Sequence, residues 1–236
     1  MKYHIFFDLD LLEHPYKGTY VALEGIDGSG KSTQLHLVAE ALRKEGKAVV
    51  MTSEPRSDSV VGKIIREVLS SKISMPSAAF QYLYSADRAI NQETIVKPSL
   101  QKGEIVLTHR SFWSVIPYGV MDKGMQFADK DNLSAGEKNA EILLVAQGLL
   151  SQYHQFICPD VTFYLDVPVA VAMERLLHMD KAKEIYEKKD KLQQIARGYE
   201  WEIKEFPDKF VRIDGTQEES KITSDIVTYI KTQLLK

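Results

Sequence analysis

The 236-residue chain contains a single cysteine, Cys158, so it can form no intramolecular disulfide. That scarcity suits a reducing compartment, and the lone thiol reads as a small core or surface group. Long apolar runs are missing too. No stretch approaches the ~20 residues needed to cross a bilayer. Near the start, Ile5-Phe6-Phe7 is too short for a secretory leader and is followed by Asp8, Asp10 and Glu13. A cytoplasmic protein is the expectation. Nor is there a large charge excess: 30 Lys+Arg against 33 Asp+Glu leave a net charge of −3. This argues against general nucleic-acid binding and leaves room only for a local basic site. Internal repeats and low-complexity tracts are absent. What remains, 44% hydrophobic and 27% charged, is enough for one sizeable soluble core.

Against that plain background one segment stands out. Gly25-Ile26-Asp27-Gly28-Ser29-Gly30-Lys31-Ser32-Thr33 follows the pattern G-x-x-x-x-G-K-[ST]. The glycines permit a tight turn in which successive backbone N–H groups face one concavity, the geometry that binds nucleotide phosphates. Lys31 is expected to reach the β- and γ-phosphates, and Ser32 to place its hydroxyl on Mg²⁺. The β-rich run 19–24 precedes the loop. The stretch 32–45 follows it with Leu35, Val38, Ala39 and Leu42 on one helical face. Strand, loop, helix is the setting the motif requires.

Further strand candidates lie at 48–53, 104–108, 161–167 and 210–213, each short, apolar and followed by a loop or helix start. The β–α alternation predicts an α/β three-layer sandwich: a five-stranded parallel sheet with helices on both faces. Ligands in such sheets bind beyond the carboxyl ends of the strands. Glu54-Pro55, His109-Arg110, Asp166 and Asp214-Gly215 fall there. Residues 1–17 read as an N-terminal extension, either an added arm or a mobile one, before a domain spanning 18–236. Residues 122–133 read as a loop. Residues 180–191 carry dense mixed charge, which suits either a solvated helix with i,i+4 pairs or part of a helical lid at about 178–192.

Several ordered segments make the chain resemble the thymidylate kinase family of P-loop nucleoside monophosphate kinases. They are the strand and phosphate loop from Val21 to Gln34, Thr52-Ser53-Glu54-Pro55 (its T-x-E-P), and Tyr82-Leu83-Tyr84-Ser85-Ala86-Asp87-Arg88 (its A-D-R helix). The run from Ile95 to Leu107 and Leu165-Asp166-Val167-Pro168 complete the set. The resemblance implies transfer of the γ-phosphoryl of ATP to dTMP with Mg²⁺, usually in a homodimer, with no nucleic acid or membrane as partner. It implies Lys31, Arg110 and Asp27 as catalytic residues. ATP would be bound by Gly25, Ile26, Asp27, Gly28, Ser29, Gly30, Lys31, Ser32 and Thr33, with Arg175 facing its base. The dTMP site would comprise Asp27, Glu54, Tyr84, Arg88, Arg110, Ser114 and Tyr118. In that family the aromatic at Tyr84 stacks on thymine, the arginine at Arg88 hydrogen-bonds the base, and the tyrosine at Tyr118 crowds the sugar 2′ position. Arg110 holds the acceptor phosphate. Mg²⁺ would sit on Ser32 and, through water, on Glu54. Arg66, in the helix after T-x-E-P, matches without a defined role.

The chain departs from the pattern in places. His109 stands where the family has an aspartate near the metal, and Ser111 where it has a tyrosine. Pro117 and Gly119 replace the alanine and glutamine around Tyr118. The lid offers Lys181 and Lys183 instead of arginine, supplying charge without a bidentate fork. With a reference pKa near 6.5, His109 is expected to gain a proton beside the metal and depress activity between about pH 7.5 and 6. A deoxynucleoside kinase, faintly echoed by His109-Arg110-Ser111, and a nucleotide-binding protein with little catalysis remain alternatives.

Overall fold

The computed structural model describes residues 11–122, 155–178 and 185–235. Five parallel strands lie in the order β2-β3-β1-β4-β5. They are β1 (Thr19–Glu24), β2 (Val49–Ser53), β3 (Ile105–His109), β4 (Val161–Asp166) and β5 (Phe210–Asp214). Every residue of β1 is buried, as a central strand covered on both faces must be. It pairs with β3 from Thr19↔Ile105 to Leu23↔His109 and with β4 from Val21↔Val161 to Glu24↔Tyr164. The strand order therefore reverses at β1, and the phosphate loop opens at that switch point. The expected strands are all present, with no end moved by more than one residue. His109 belongs to β3 because Leu23 and Ser53 continue the ladder on both sides of it.

One face of the sheet is covered by α1 (Lys31–Lys44) and by α8 (Glu219–Tyr229). Leu35, Val38, Leu42, Ile222 and Ile226 pack there on Val21, Leu107 and Phe163. After β2, α2 (Val60–Leu69) packs on α3 (Ser77–Asn91). The other side of the sheet carries α4 (Lys97–Gln101), α5 (Val115–Asp122), α6 (Val169–Leu177) and α7 (Ile185–Glu205). A π-helical turn, Gln92–Val96, joins α3 to α4. The Gln92 side chain leaves the helix to bond the backbone of Ile157 twice, at 3.0 and 2.9 Å. Trp113 lies fully buried in the aromatic part of this core, its ring 5.1 Å from Phe206 and 4.9 Å from Phe210. Glu202 of α7 is fully buried nearby, and neither carboxylate oxygen has a hydrogen-bond partner among the described residues. Burial, reinforced by Glu24, pushes its pKa well above the usual carboxylate range.

Of the N-terminal extension, residues 11–17 pack on the entrance to β4. Leu12 bridges Ile157, its carbonyl accepts Cys158 N–H at 2.8 Å, and His14 Nε2 meets Asp160 Oδ2 at 3.0 Å. Burial pushes the Cys158 thiol up to about 12, so it stays protonated and unreactive. Residues 1–10 lie outside the described residues. So do 123–133 of the expected loop, whose first residue, Asp122, ends α5. Lys181 and Lys183 lie outside them as well, whereas 185–191 form the start of α7. No helix among the described residues is long and apolar enough to cross a membrane.

Candidate active site

The phosphate loop takes backbone conformations that side chains resist: φ is +141° at Gly25, +84° at Gly28 and +95° at Gly30. At Gly28 space forbids a side chain as well, since a Cβ would lie 2.4 Å from the Ala172 carbonyl of α6. Gly30 caps α1 without a side-chain bond, so the first N–H groups of the helix face the loop. Lys31 folds back over it, donating to Gly25 O at 2.9 Å and Ile26 O at 2.7 Å. Burial and the nearby Arg110 push its ammonium down to about 7, against the pull of Asp27 and Glu24. Phosphate oxygens at this position would restore the charge.

Arg110 is the centre of a second cluster. Its backbone is left-handed, φ +70°. Nη1 donates to Ser114 Oγ and Tyr199 Oη, both at 3.1 Å. Nη2 donates to Asp27 Oδ1 and Tyr118 Oη, both at 2.6 Å, and the guanidinium carbon sits 4.7 Å from the centre of the Tyr118 ring. Desolvation of the Asp27 carboxyl by its neighbours is outweighed by Arg110 and Lys31, which hold it below its usual value. Thus Asp27, Arg110, Ser114 and Tyr118, expected from separate segments, do meet. Behind them is a residue the sequence reading missed. Glu24, fully buried at the end of β1, accepts from Ser111 N at 2.7 Å, Ser111 Oγ at 3.0 Å, Ser114 Oγ at 2.8 Å and Tyr199 Oη at 2.7 Å.

The A-D-R helix supplies a third group. Arg88, buried on α3, donates Nε to Glu54 Oε2 at 2.5 Å and Nη2 to the Ser111 carbonyl at 3.2 Å. Asn91, one turn further on, reaches Glu54 Oε1 at 3.3 Å and accepts from Thr52 Oγ1 at 2.6 Å. Burial raises the Glu54 pKa and Arg88 opposes it. Glu54 precedes a cis bond to Pro55. Asp87 fixes the loop beyond it, accepting from Arg56 N at 2.8 Å and Ser59 Oγ at 2.5 Å. Ser59 in turn caps α2 through Gly62 N at 2.7 Å. Tyr84 is half-buried on the same helix, its ring 4.9 Å from that of Phe80.

Ser32, Glu54, His109, Arg110 and Arg66 line one cleft of about 680 Å³ at the carboxyl ends of β2 and β3. His109 therefore lines the same cleft as Ser32 and Glu54. The protonation expected of it does not follow. Burial, with Lys31 and Arg110 adding to it, pushes the imidazole down to about 3 despite Asp27. The ring is neutral throughout pH 6 to 7.5. Arg175 lies apart from this cleft. Its Nη2 donates to the Gly215 carbonyl at 3.0 Å, at the turn after β5. That turn is close to the phosphate loop, since a Cβ on Gly215 would be 3.5 Å from the Ser29 carbonyl. Ser32 is exposed at the first turn of α1. Its hydroxyl and the Glu54 carboxylate are hard oxygen donors beside a phosphate loop, a donor set that suits Mg²⁺.

A family model described as thymidylate kinase matches residues 23–146 and 140–226. Proteins named thymidylate kinase are similar over most of the chain. That of Thermoanaerobacter sp. (strain X514) is 31% identical over 221 residues, covering 92% of this chain and 100% of its own. That of Thermosipho africanus is 32% identical over 220 residues, with 91% and 98% covered. That of Exiguobacterium sp. is 33% identical over 216 residues, with 90% and 93% covered. A phosphate loop at the switch point, an arginine centre beside it and matches running through nine-tenths of the sequence agree, and the chain belongs to the thymidylate kinase family.

Proposed function

We infer that the protein transfers the γ-phosphoryl of ATP to dTMP, giving dTDP. The observation that carries this reading is the convergence of Ser32, Glu54, His109 and Arg110 on one cleft, with Lys31 behind the loop and Arg88 bonded to Glu54. Phosphoryl transfer needs two nucleotides held in line and the developing charge neutralised, with no covalent protein intermediate. Backbone N–H groups of the loop would cradle the ATP phosphates, and Arg175, on the far side of the loop, would face the base. Mg²⁺, held by Ser32 and through water by Glu54, would offset charge on the β- and γ-phosphates. Lys31 would follow the transferred group. Arg110 would hold the acceptor phosphate, with Asp27 and Ser114 at its side and Tyr118 against the sugar. Tyr84 offers a ring face and Arg88 a planar fork to thymine.

Neither a nucleoside acceptor nor a protein without catalysis is favoured by any feature of the site. A domain spanning 18–236 with a lid at about 178–192, a homodimer and a cytoplasmic location belong to the same proposal; light scattering reads the mass. The central test is ADP release from ATP and Mg²⁺ against dTMP, dUMP, dCMP, UMP and thymidine. The thymine methyl is worth about 1–3 kcal/mol, so dUMP should be roughly 10–200-fold poorer in kcat/KM. Equal use of dCMP or UMP removes the thymine assignment while leaving a kinase.

A further inference from the structure

Two of the groups around Arg110 come from outside the expected site. Glu24 ends β1, and Tyr199 comes from α7. We infer that Tyr199 and Glu24 are positioning residues that set the enzyme's affinity for the acceptor phosphate through Arg110 without touching the nucleotide; the inference rests on the kinase reading above.

Tyr199 Oη is 2.7 Å and Ser114 Oγ 2.8 Å from Glu24 Oε2. The two hydroxyls also lie 3.0 Å from each other, and either could donate to the other. A carboxylate accepts only, so the arrangement that satisfies Glu24 Oε2 sends both hydroxyl protons to it. The lone pairs of both oxygens are then left for Arg110 Nη1, which donates to each at 3.1 Å. Glu24 thus fixes the polarity of two hydroxyls, and those hydroxyls fix one nitrogen of the guanidinium. The other nitrogen, Nη2, points outwards, to Tyr118 and to Asp27, whose side chain is 59% exposed. One nitrogen is anchored in the core and the other is held by two side chains at the cleft edge, where a phosphate oxygen would compete with Asp27 for it.

The same carboxylate also holds the backbone. Arg110 has a left-handed φ that a long side chain seldom adopts. Such a conformation persists where its surroundings over-determine it. Here Thr108 Oγ1 donates to the Arg110 carbonyl at 2.7 Å, Arg110 N–H donates to Leu23 O at 3.0 Å, and Ser111 N–H donates to Glu24 Oε1 at 2.7 Å. Both the origin and the direction of the guanidinium therefore depend on groups buried behind it.

Tyr199→Phe removes one oxygen and leaves the ring in the core. Affinities for dTMP and for thymidine, which lacks the phosphate, are measured by calorimetry, alongside KM for dTMP and for ATP. Losing a bond to a charged group predicts dTMP roughly 10–100-fold weaker in Tyr199→Phe. Thymidine affinity and the KM for ATP should stay within about twofold of wild type, since a phosphate-specific defect spares them. Glu24→Gln, which keeps the shape and removes the anion, should split the two ligands the same way and serves if the tyrosine variant fails to fold. Equal weakening of dTMP and thymidine, or no change in a folded variant, overturns the inference. A wild-type protein that releases no ADP with dTMP strikes the kinase reading. An active wild type beside an unaltered Tyr199→Phe strikes the positioning inference alone.

Discussion

His109→Asn should make the protein more resistant to acid, by an amount that the pocket sets. Burial beside Lys31 and Arg110 holds the native imidazole pKa at about 3, whereas an unfolded histidine titrates near 6.5. The unfolded chain therefore binds an extra proton below pH ~6.5 that the native pocket refuses. Stability is unaffected above that value and falls as pH drops from ~6.5 towards 3. Each pH unit costs about 1.4 kcal/mol, so at pH 5 the penalty is on the order of 2 kcal/mol. For a chain of this size that is roughly 4–8 °C of melting temperature. Other titrating groups act alike in both proteins, so the difference between them isolates His109. The assay is thermal unfolding of wild type and His109→Asn, followed by circular dichroism from pH 7.5 to 5. The gap between them should shift by those degrees in favour of the variant, nearly all of it below pH 6.5. Activity between pH 6 and 7.5 should show no step that the substitution removes. Parallel melting curves across the whole range would mean the imidazole is not held neutral by its surroundings, and the electrostatic picture of the cleft would fall with them.

Lys31→Ala should fold normally and lower kcat by at least about 10²-fold, the scale for losing one transition-state stabiliser; a normal circular dichroism spectrum with unchanged turnover would contradict its place at the phosphates. Gly62→Ala places a Cβ 1.8 Å from the Arg56 carbonyl, so unfolding should show a loss of at least about 2 kcal/mol, together with a raised KM for dTMP as the loop bordering the cleft shifts. Glu202→Gln should have a pH dependence opposite to that of His109→Asn. The native carboxyl keeps its proton well above the usual range, so wild type loses stability as pH rises from about 4.5. The gain in melting temperature from Gln should accordingly be larger at pH 8 than at pH 5.

The parts of the site legible in the sequence were those encoded by local spacing. The loop from Gly25 to Thr33 announces itself because each fixed residue answers a backbone or phosphate requirement within nine positions. The strands were legible for a similar reason, since short apolar runs between helical patterns have few other uses in a chain of this composition. Glu24 and Tyr199 were not. Their bond joins positions 175 apart, and each alone reads as an ordinary residue beside a motif. The position of Asp87 could be matched, but its work could not. It bonds to Ser59 and Arg56 across a fold that has to exist first. The neutrality of His109 was misjudged because it depends on the desolvation and cations around the ring, which a reference pKa does not contain.

The central place of β1 also shapes how the chain is made. Its partners arrive late: Tyr20 N–H bonds Asp160 Oδ2 across 140 positions. During synthesis from the N-terminus β1 emerges first, yet one of its edges has no strand beside it until β4 has left the ribosome. At about 5–20 residues per second that interval lasts roughly seven to thirty seconds. For that time the unpaired backbone groups of a largely apolar strand are open to other chains, and every strand pairing made later closes a long loop. The nascent protein therefore depends on chaperones until β4 is made, and a ribosome stalled between β3 and β4 would hold the phosphate-loop strand with one edge unpaired.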